Sequence, residues 1–265
     1  MTALDLALRA RLKTRRLGRP HRHLPSVGST QIEAAAWAEA GASTGAMVTA
    51  DTQTDGRGRL GRTWGDEPGR DLALSLVLRP ALPAERLGLV GLAAALGVAE
   101  ALDARTPGVT LKWPNDVLIG GKKAAGVLAE TRWTACGGGH RPTVLLGIGL
   151  NVGRETFPPG LEARATSLAL ATGQTYDRAA VLADLLLALE SALSLSDAAL
   201  VREAEARLGS LGQRLEVGFP GTERTPVAGT VLGLGPDGSL RLGTDAGGGE
   251  AGEVRVLAGE TTVLA

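Results

Sequence analysis

A Gly120-Gly121 pair, set between a β-rich run ending near Ile119 and another starting near Ala124, restricts the fold of this 265-residue chain more than any other feature. Consecutive glycines tolerate the positive φ angles of a tight turn, so the flanking runs read as the two strands of a hairpin. Further short β-rich runs occur at Ala46 to Ala50, Leu72 to Arg79, Val109 to Trp113 and Val144 to Leu150. Between them lie Ala/Leu-rich stretches free of proline, Gln31 to Ala40, Leu87 to Ala104 and Arg178 to Leu195, which predict helices. The pattern is that of an α+β or mixed α/β domain, with the helices expected over one face of the sheet.

From about Gly212 the rhythm changes. Strand-like pieces at Arg214 to Val217, Val227 to Leu234, Ser239 to Leu242 and Glu253 to Leu257 are separated by Gly, Pro and Asp turns, which predicts a small β-barrel. The expected organisation is a basic N-terminal helix or extension over 1–23, a main domain over 24–211 and the barrel over 212–265. Gly137 to Gly139 and Gly247 to Gly249 read as surface loops, and there is no internal repeat.

Basic and acidic side chains balance at 28 each, so no global field draws the chain to nucleic acid or to an anionic membrane. Any anion must be held locally. A single cysteine, Cys136, excludes an intrachain disulfide, and three scattered histidines do not make a zinc cluster. With no membrane-spanning run and no signal-peptide core, the expected compartment is the cytoplasm. Residues 1–23 carry seven Lys or Arg against one acid, Asp5, and predict a solvated helix packed on the domain.

Chemistry concentrates in four segments. Asp51 to Trp64, DTQTDGRGRLGRTW, alternates glycines with Arg57, Arg59 and Arg62 directly after a strand. Its glycines permit close backbone approach to a ligand, and its forked donors suit carboxylate and phosphate. A flexible Gly/Arg tail has similar composition, but this segment is short and lies between strands, so an ordered or ligand-ordered loop is expected. In Lys112 to Gly126, KWPNDVLIGGKKAAG, strand alternation sends Lys122 and Lys123 to opposite faces, while Asn115 and Asp116 sit at a turn. Taken alone, that segment also reads as a solvated hairpin tip. Gly147 and Gly149 interrupt the apolar run Leu145 to Val152, which marks a bulge or a ligand against the backbone. Thr30 and Glu33 form a capping-box pattern, so Ser29 and Thr30 either cap a helix or hold a polar ligand at its N-terminus.

In this order, GST at 28–30, QTDGRGRLGRTW at 53–64, KWPNDV at 112–117, KKAAGVLAE at 122–130 and GIGLNV at 147–152 closely resemble the biotin protein ligases. The resemblance runs from about Leu24 to the end and implies a mixed-sheet catalytic domain of the class II aminoacyl-tRNA synthetase and biotin ligase type, with a C-terminal SH3-like barrel. It implies ATP-dependent activation of biotin to biotinoyl-AMP, then transfer to a lysine of a biotin carboxyl carrier protein, with Mg²⁺ on the phosphates. Carried over by position, biotin contacts fall on Ser29, Thr30, Gln31, Gln53, Gly56, Arg57, Gly58, Arg59, Lys123, Gly126, Gly147 and Gly149. Nucleotide contacts fall on Arg59, Arg62, Trp64, Lys112, Asn115, Lys123 and Asn151, with Asp116 near the metal and Lys123 and Arg59 as the catalytic pair. Gln31 stands where the family usually has Asn, which puts one ring contact in doubt, and Leu60 replaces a basic residue of some relatives.

Some relatives carry an N-terminal winged helix-turn-helix and act as repressors. Only about 23 residues precede the first motif here, so the resemblance implies the form without that domain and no direct DNA binding. Such folds also dimerise through their sheets, and a homodimer is compatible with this one. A lipoate or octanoate ligase and a non-catalytic biotin sensor are the competing readings; the arginine loop with KWPND argues against the first, and Lys123 against the second.

Overall fold

The computed structural model describes residues 2–80, 83–136, 139–244 and 252–264. Helix α1 (Ala3–Arg11) starts at a Thr2–Asp5 capping box and packs on α5 (Arg178–Ala192). Strand β1 (His21–Leu24) then pairs parallel with β2 (Met47–Ala50), so the edge of the main sheet begins within the segment expected as an extension. The two histidines of β1 make it polar, and it escaped the sequence reading for that reason. Its rings nevertheless lie among polar groups: His21 Nδ1 is 2.7 Å from Asp5 Oδ1, and His21 Nε2 and His23 Nδ1 are 2.8 and 2.9 Å from the Thr49 hydroxyl.

Strands β3 (Leu72–Leu78), β4 (Val109–Lys112), β5 (Asp116–Ile119), β6 (Lys122–Cys136) and β7 (Gly139–Leu150) complete a seven-stranded sheet in the order β1-β2-β3-β7-β6-β5-β4. The predicted β5–β6 hairpin forms, with Gly120 and Gly121 at φ 56° and 78°. Gly139, expected in a loop, opens β7, directly across from Cys136 at the end of β6; Gly137 and Gly138, like Gly247 to Gly249, lie outside the described residues.

Strand β3 reads Leu-Ala-Leu-Ser-Leu-Val-Leu, and the pleat sorts it. Leu72, Leu74, Leu76 and Leu78 pair with Leu150, Ile148, Leu146 and Val144 and join the main core with α3 (Gly88–Asp103) and α5. The alternate residues face the other way, where Val48, Val77 and Leu145 pack against Ala34 and Ala35 of α2 (Thr30–Glu39). The helices therefore do not share one face, contrary to the expectation from the sequence. Helix α2 covers only part of the second face and leaves the remainder open beside Ser75, Gly147 and Gly149.

Helices α4 (Leu168–Thr172) and α6 (Asp197–Ala206) lead to a second, antiparallel sheet. Its strands β8 (Arg214–Gly218), β9 (Val227–Leu234), β10 (Leu240–Thr244), β11 (Gly252–Val256) and β12 (Glu260–Val263) run in the order β11-β10-β9-β8-β12, in keeping with an SH3-like domain. Its apolar side chains continue the main core, and hydrogen bonds join the two, among them Trp113 Nε1 to Gly238 O at 3.0 Å and Leu234 N to Glu205 Oε2 at 2.6 Å. Among the described residues, no helix is long and apolar enough to cross a membrane.

Candidate functional site

The open part of the second sheet face is the floor of a cleft of about 1010 Å³, its mouth included. The floor is low because of its residues. Gly126 pairs with Gly149 across β6 and β7, and Gly147 lies opposite Ser75. A Cβ added at Gly149 lies 2.2 Å from the Trp64 ring, and one at Gly147 lies 2.8 Å from Gln31 Oε1. The interior glycines thus mark a place where side chains from outside the sheet lie on its backbone.

At one end of the cleft amides and hydroxyls are tied together by hydrogen bonds within the protein. Ser29, not Thr30, caps α2, accepting from Gln31 N at 3.3 Å, so the predicted Thr30–Glu33 box does not form. Thr30 is instead claimed by Gln53, whose Oε1 accepts from Thr30 N at 2.9 Å and from Thr30 Oγ1 at 3.1 Å. Gln31 is buried; its Nε2 donates to Glu130 and to Leu145 O at 2.9 and 3.0 Å, and its Oε1 accepts from Ser75 Oγ at 2.9 Å. The extra methylene of Gln31 thus carries its amide into protein hydrogen bonds. Ser75 was missed in the sequence, although a lone hydroxyl inside the apolar run Leu72 to Leu78 was its signal.

At the other end the cleft is cationic. Arg57, Arg59, Arg62, Lys112 and Lys123 all line it, with Gly58, Asn115 and Asp116. The Gly/Arg segment is an ordered hairpin: Gly58 N donates to Arg62 O at 2.7 Å, and Trp64 N to Gly56 O at 2.8 Å. Gly56 lies behind the hairpin, where a Cβ would approach Trp64 O to 2.3 Å, and it does not line the cleft. Arg59 Nη1 donates to Asn115 Oδ1 at 3.1 Å, and Asn115 in turn holds β6 through Nδ2 to Val127 O at 2.8 Å. Burial lowers the pKa of Arg59, against the opposing pull of Glu260 and Asp116. Even a lowered guanidinium remains charged at neutral pH.

Lys123 enters the cleft while Lys122 turns out to Glu162 O at 3.0 Å, the opposition that strand alternation predicts. Lys123 Nζ lies 2.7 Å from Asp116 Oδ1 and 5.5 Å from the centre of the Trp64 ring. The Trp64 Nε1–H is buried against the glycine floor and has no hydrogen-bond partner among the described residues. Asn151 is not a wall residue. It is buried, and its Nδ2 donates to Thr166 O at 2.9 Å, which ties the loop before α4 to the end of β7. The sequence reading also missed Gly259, Glu260 and Thr261 of the barrel, which close the cationic end.

Residues 24–151 match the biotin/lipoate A/B protein ligase family. The chain is 36% identical over 230 residues to a biotin–[acetyl-CoA-carboxylase] ligase of Mycobacterium tuberculosis, covering 83% of this chain and 81% of that one. It is 38% identical over 186 residues to the bifunctional ligase/repressor BirA of Bacillus subtilis; the match takes in 69% of this chain but spans only 56% of that protein's length. Its fold matches the biotin protein ligase of Aquifex aeolicus in complex with biotin and ATP, with a TM-score of 0.77 at 30% identity, over 93% of this chain and 99% of the other. The chain belongs to the biotin/lipoate A/B protein ligase family, among its biotin protein ligases.

Proposed function

We propose that the chain condenses biotin with ATP to biotinoyl-AMP, releasing pyrophosphate, and then transfers biotin to a lysine of a biotin carboxyl carrier domain. The observation that carries this reading is the two-ended cleft, with Gln53 and Thr30 at one end, Lys123, Arg59 and Arg62 at the other, and a glycine floor between. A carboxylate attacks the α-phosphorus only if the repulsion between two anions is offset. In this reading Lys123 and Arg59 offset it, stabilising the charge that grows on the phosphoryl oxygens as the P–O bond to pyrophosphate breaks. In the second step a neutral lysine amine attacks the anhydride carbonyl and AMP leaves with the bonding pair, so no nucleophile of the enzyme is required. The Gly/Arg hairpin over the cleft limits access of water to the anhydride.

Mg²⁺ fits as a companion of the nucleotide rather than as a resident metal. Among the described residues no cluster of three or more potential ligands exists. Mg²⁺ is commonly held by one or two carboxylates together with substrate phosphates, and Asp116 is the carboxylate in place for that once Lys123 turns to its ligand. The ion would neutralise charge on the triphosphate. The M. tuberculosis relative is named for a carboxylase acceptor, and the same class of partner is proposed here.

Pyrophosphate–ATP exchange with biotin, lipoate or octanoate as the sole acid tests the reading. Exchange is expected with biotin alone and lost in Lys123→Ala. Exchange driven by lipoate moves the chain to another branch of the family, and no exchange with any acid removes the catalytic reading.

A further inference from the structure

Glu260 opens β12 at the cationic end of the cleft and forms an ion pair with Arg62 of the Gly/Arg hairpin. We propose that Glu260 is a positioning residue for the triphosphate: it holds Arg62 in the ligand-free protein, yields it to the phosphates, and thereby sets the affinity for the nucleotide. The inference rests on the reading of this end of the cleft as the ATP site.

The two partners differ in how closely they are packed and how far their side chains are exposed. Glu260 pairs with Gly218 of β8, and the preceding Gly259 is wedged so closely that a Cβ would come within 2.4 Å of Val217 Cγ1 and 2.9 Å of Gly218 O. The carboxylate is thus presented by packed backbone. Arg62 follows a turn in which Leu60 and Gly61 adopt φ 56° and 72°, and its side chain is 67% exposed. The movable member of the pair is the arginine.

Charge in the cleft gives the pair its consequence. Among the described residues, five basic side chains line the site, and the acidic ones are Asp116 and Glu260. Asp116 is engaged by Lys123, so Glu260 is the carboxylate that competes for the hairpin arginines. Its field extends to Arg59, which also donates to Gly259 O at 3.5 Å. A carboxylate among donors for a polyanion has two opposed effects: it keeps Arg62 in register while the site is empty, and it repels the incoming phosphates.

Exchange kinetics on wild type, Glu260→Gln and Glu260→Asp, each checked for an unchanged melting temperature, decide the matter together with trypsin cleavage within the hairpin in the absence of ligand. In Glu260→Gln the KM for ATP is expected to fall roughly 3- to 10-fold at low ionic strength and less at high salt, because the lost term is electrostatic. The KM for biotin should stay within about twofold, and Glu260→Asp, which keeps the charge, within about twofold of wild type for both substrates. Trypsin should cut ligand-free Glu260→Gln faster than wild type, with the difference abolished by ATP. An unchanged or raised KM for ATP, or equal cleavage rates, overturns the proposal. If wild type exchanges with no acid, the catalytic reading fails separately, and cleavage without ligand still judges the role of Glu260.

Discussion

At one end of the cleft Thr30, Gln31, Gln53 and Ser75 are linked by side-chain polar contacts of 2.9 to 3.1 Å, and Thr30, Gln31 and Ser75 are at most 4% exposed. At the other end Lys123 and Arg62 are 35% and 67% exposed and are held by carboxylates that a phosphate can replace. The first arrangement is complete before any ligand arrives. The second is a set of cations resting on temporary counter-ions. The difference follows the chemistry each end faces: a neutral polar group is recognised by fixed donors and acceptors, whereas a polyanion requires charges that can regroup around it. It also separates stability from rate, since only the first end is part of the folded core.

Lys123→Ala is the largest test of that separation. Loss of one preorganised cationic donor should lower exchange by roughly 10²- to 10³-fold. The melting temperature should hardly move, because a partly exposed ion pair contributes only about 0 to 1 kcal/mol. A substantial drop in thermal stability would show that the cationic end is also structural and would erase the contrast.

The contrast was only partly legible in the sequence. Glycines in strands, the Gly/Arg run and the opposition of Lys122 and Lys123 follow from local rules, and the cleft floor, the hairpin and the placement of Lys123 agree with them. The faces of the sheet are not local information. Ala34 and Ala35 are equally apolar whichever side α2 takes, so the expectation of one helical layer failed. Thr30 loses its capping role to a contact with Gln53 that no window around residue 30 contains. Asn151 matched a ligand position by motif, yet its amide is committed to Thr166 O. Glu260 carries no motif; it reaches the cleft only because the barrel docks through Trp113 and Glu205.

Acid provides the next test, because it acts on the built end first. Burial pushes His21 down to about 4, with His23 and Arg9 adding to the shift and Asp5 opposing it. The Thr49 hydroxyl of β2 faces the same ring, whose side chain is 3% exposed. Between about pH 6.5 and 4 the unfolded chain binds a proton that the native ring refuses, so stability falls as pH falls, by up to roughly 3 kcal/mol. The β1–β2 edge continues into Val27 and Gln53, which bridge each other, so biotin affinity should decline with it before ATP affinity. Melting curves of wild type and His21→Asn at pH 7, 5.5 and 4.5 check this. The gap between them should narrow on acidification, and parallel curves would remove His21 as the cause.

Ser75→Ala has the smallest expected effect and probes the built end most directly. The substitution removes the donor to Gln31 Oε1 and the 3.0 Å contact with Thr30 Oγ1 while changing little volume. A buried amide oxygen left without a donor costs about 1 to 3 kcal/mol. For a domain of about 150 to 250 residues, each kcal/mol corresponds to roughly 2 to 4 °C of melting temperature. The KM for biotin should rise with the loosening of Gln31 and Thr30, and the KM for ATP should not. Equal changes in both would mean that the two ends are one coupled unit, because a shift at Ser75 would then have crossed the glycine floor to the cations. A change in biotin KM alone, alongside the fall in melting temperature, is what a core-built pocket beside a ligand-assembled one requires.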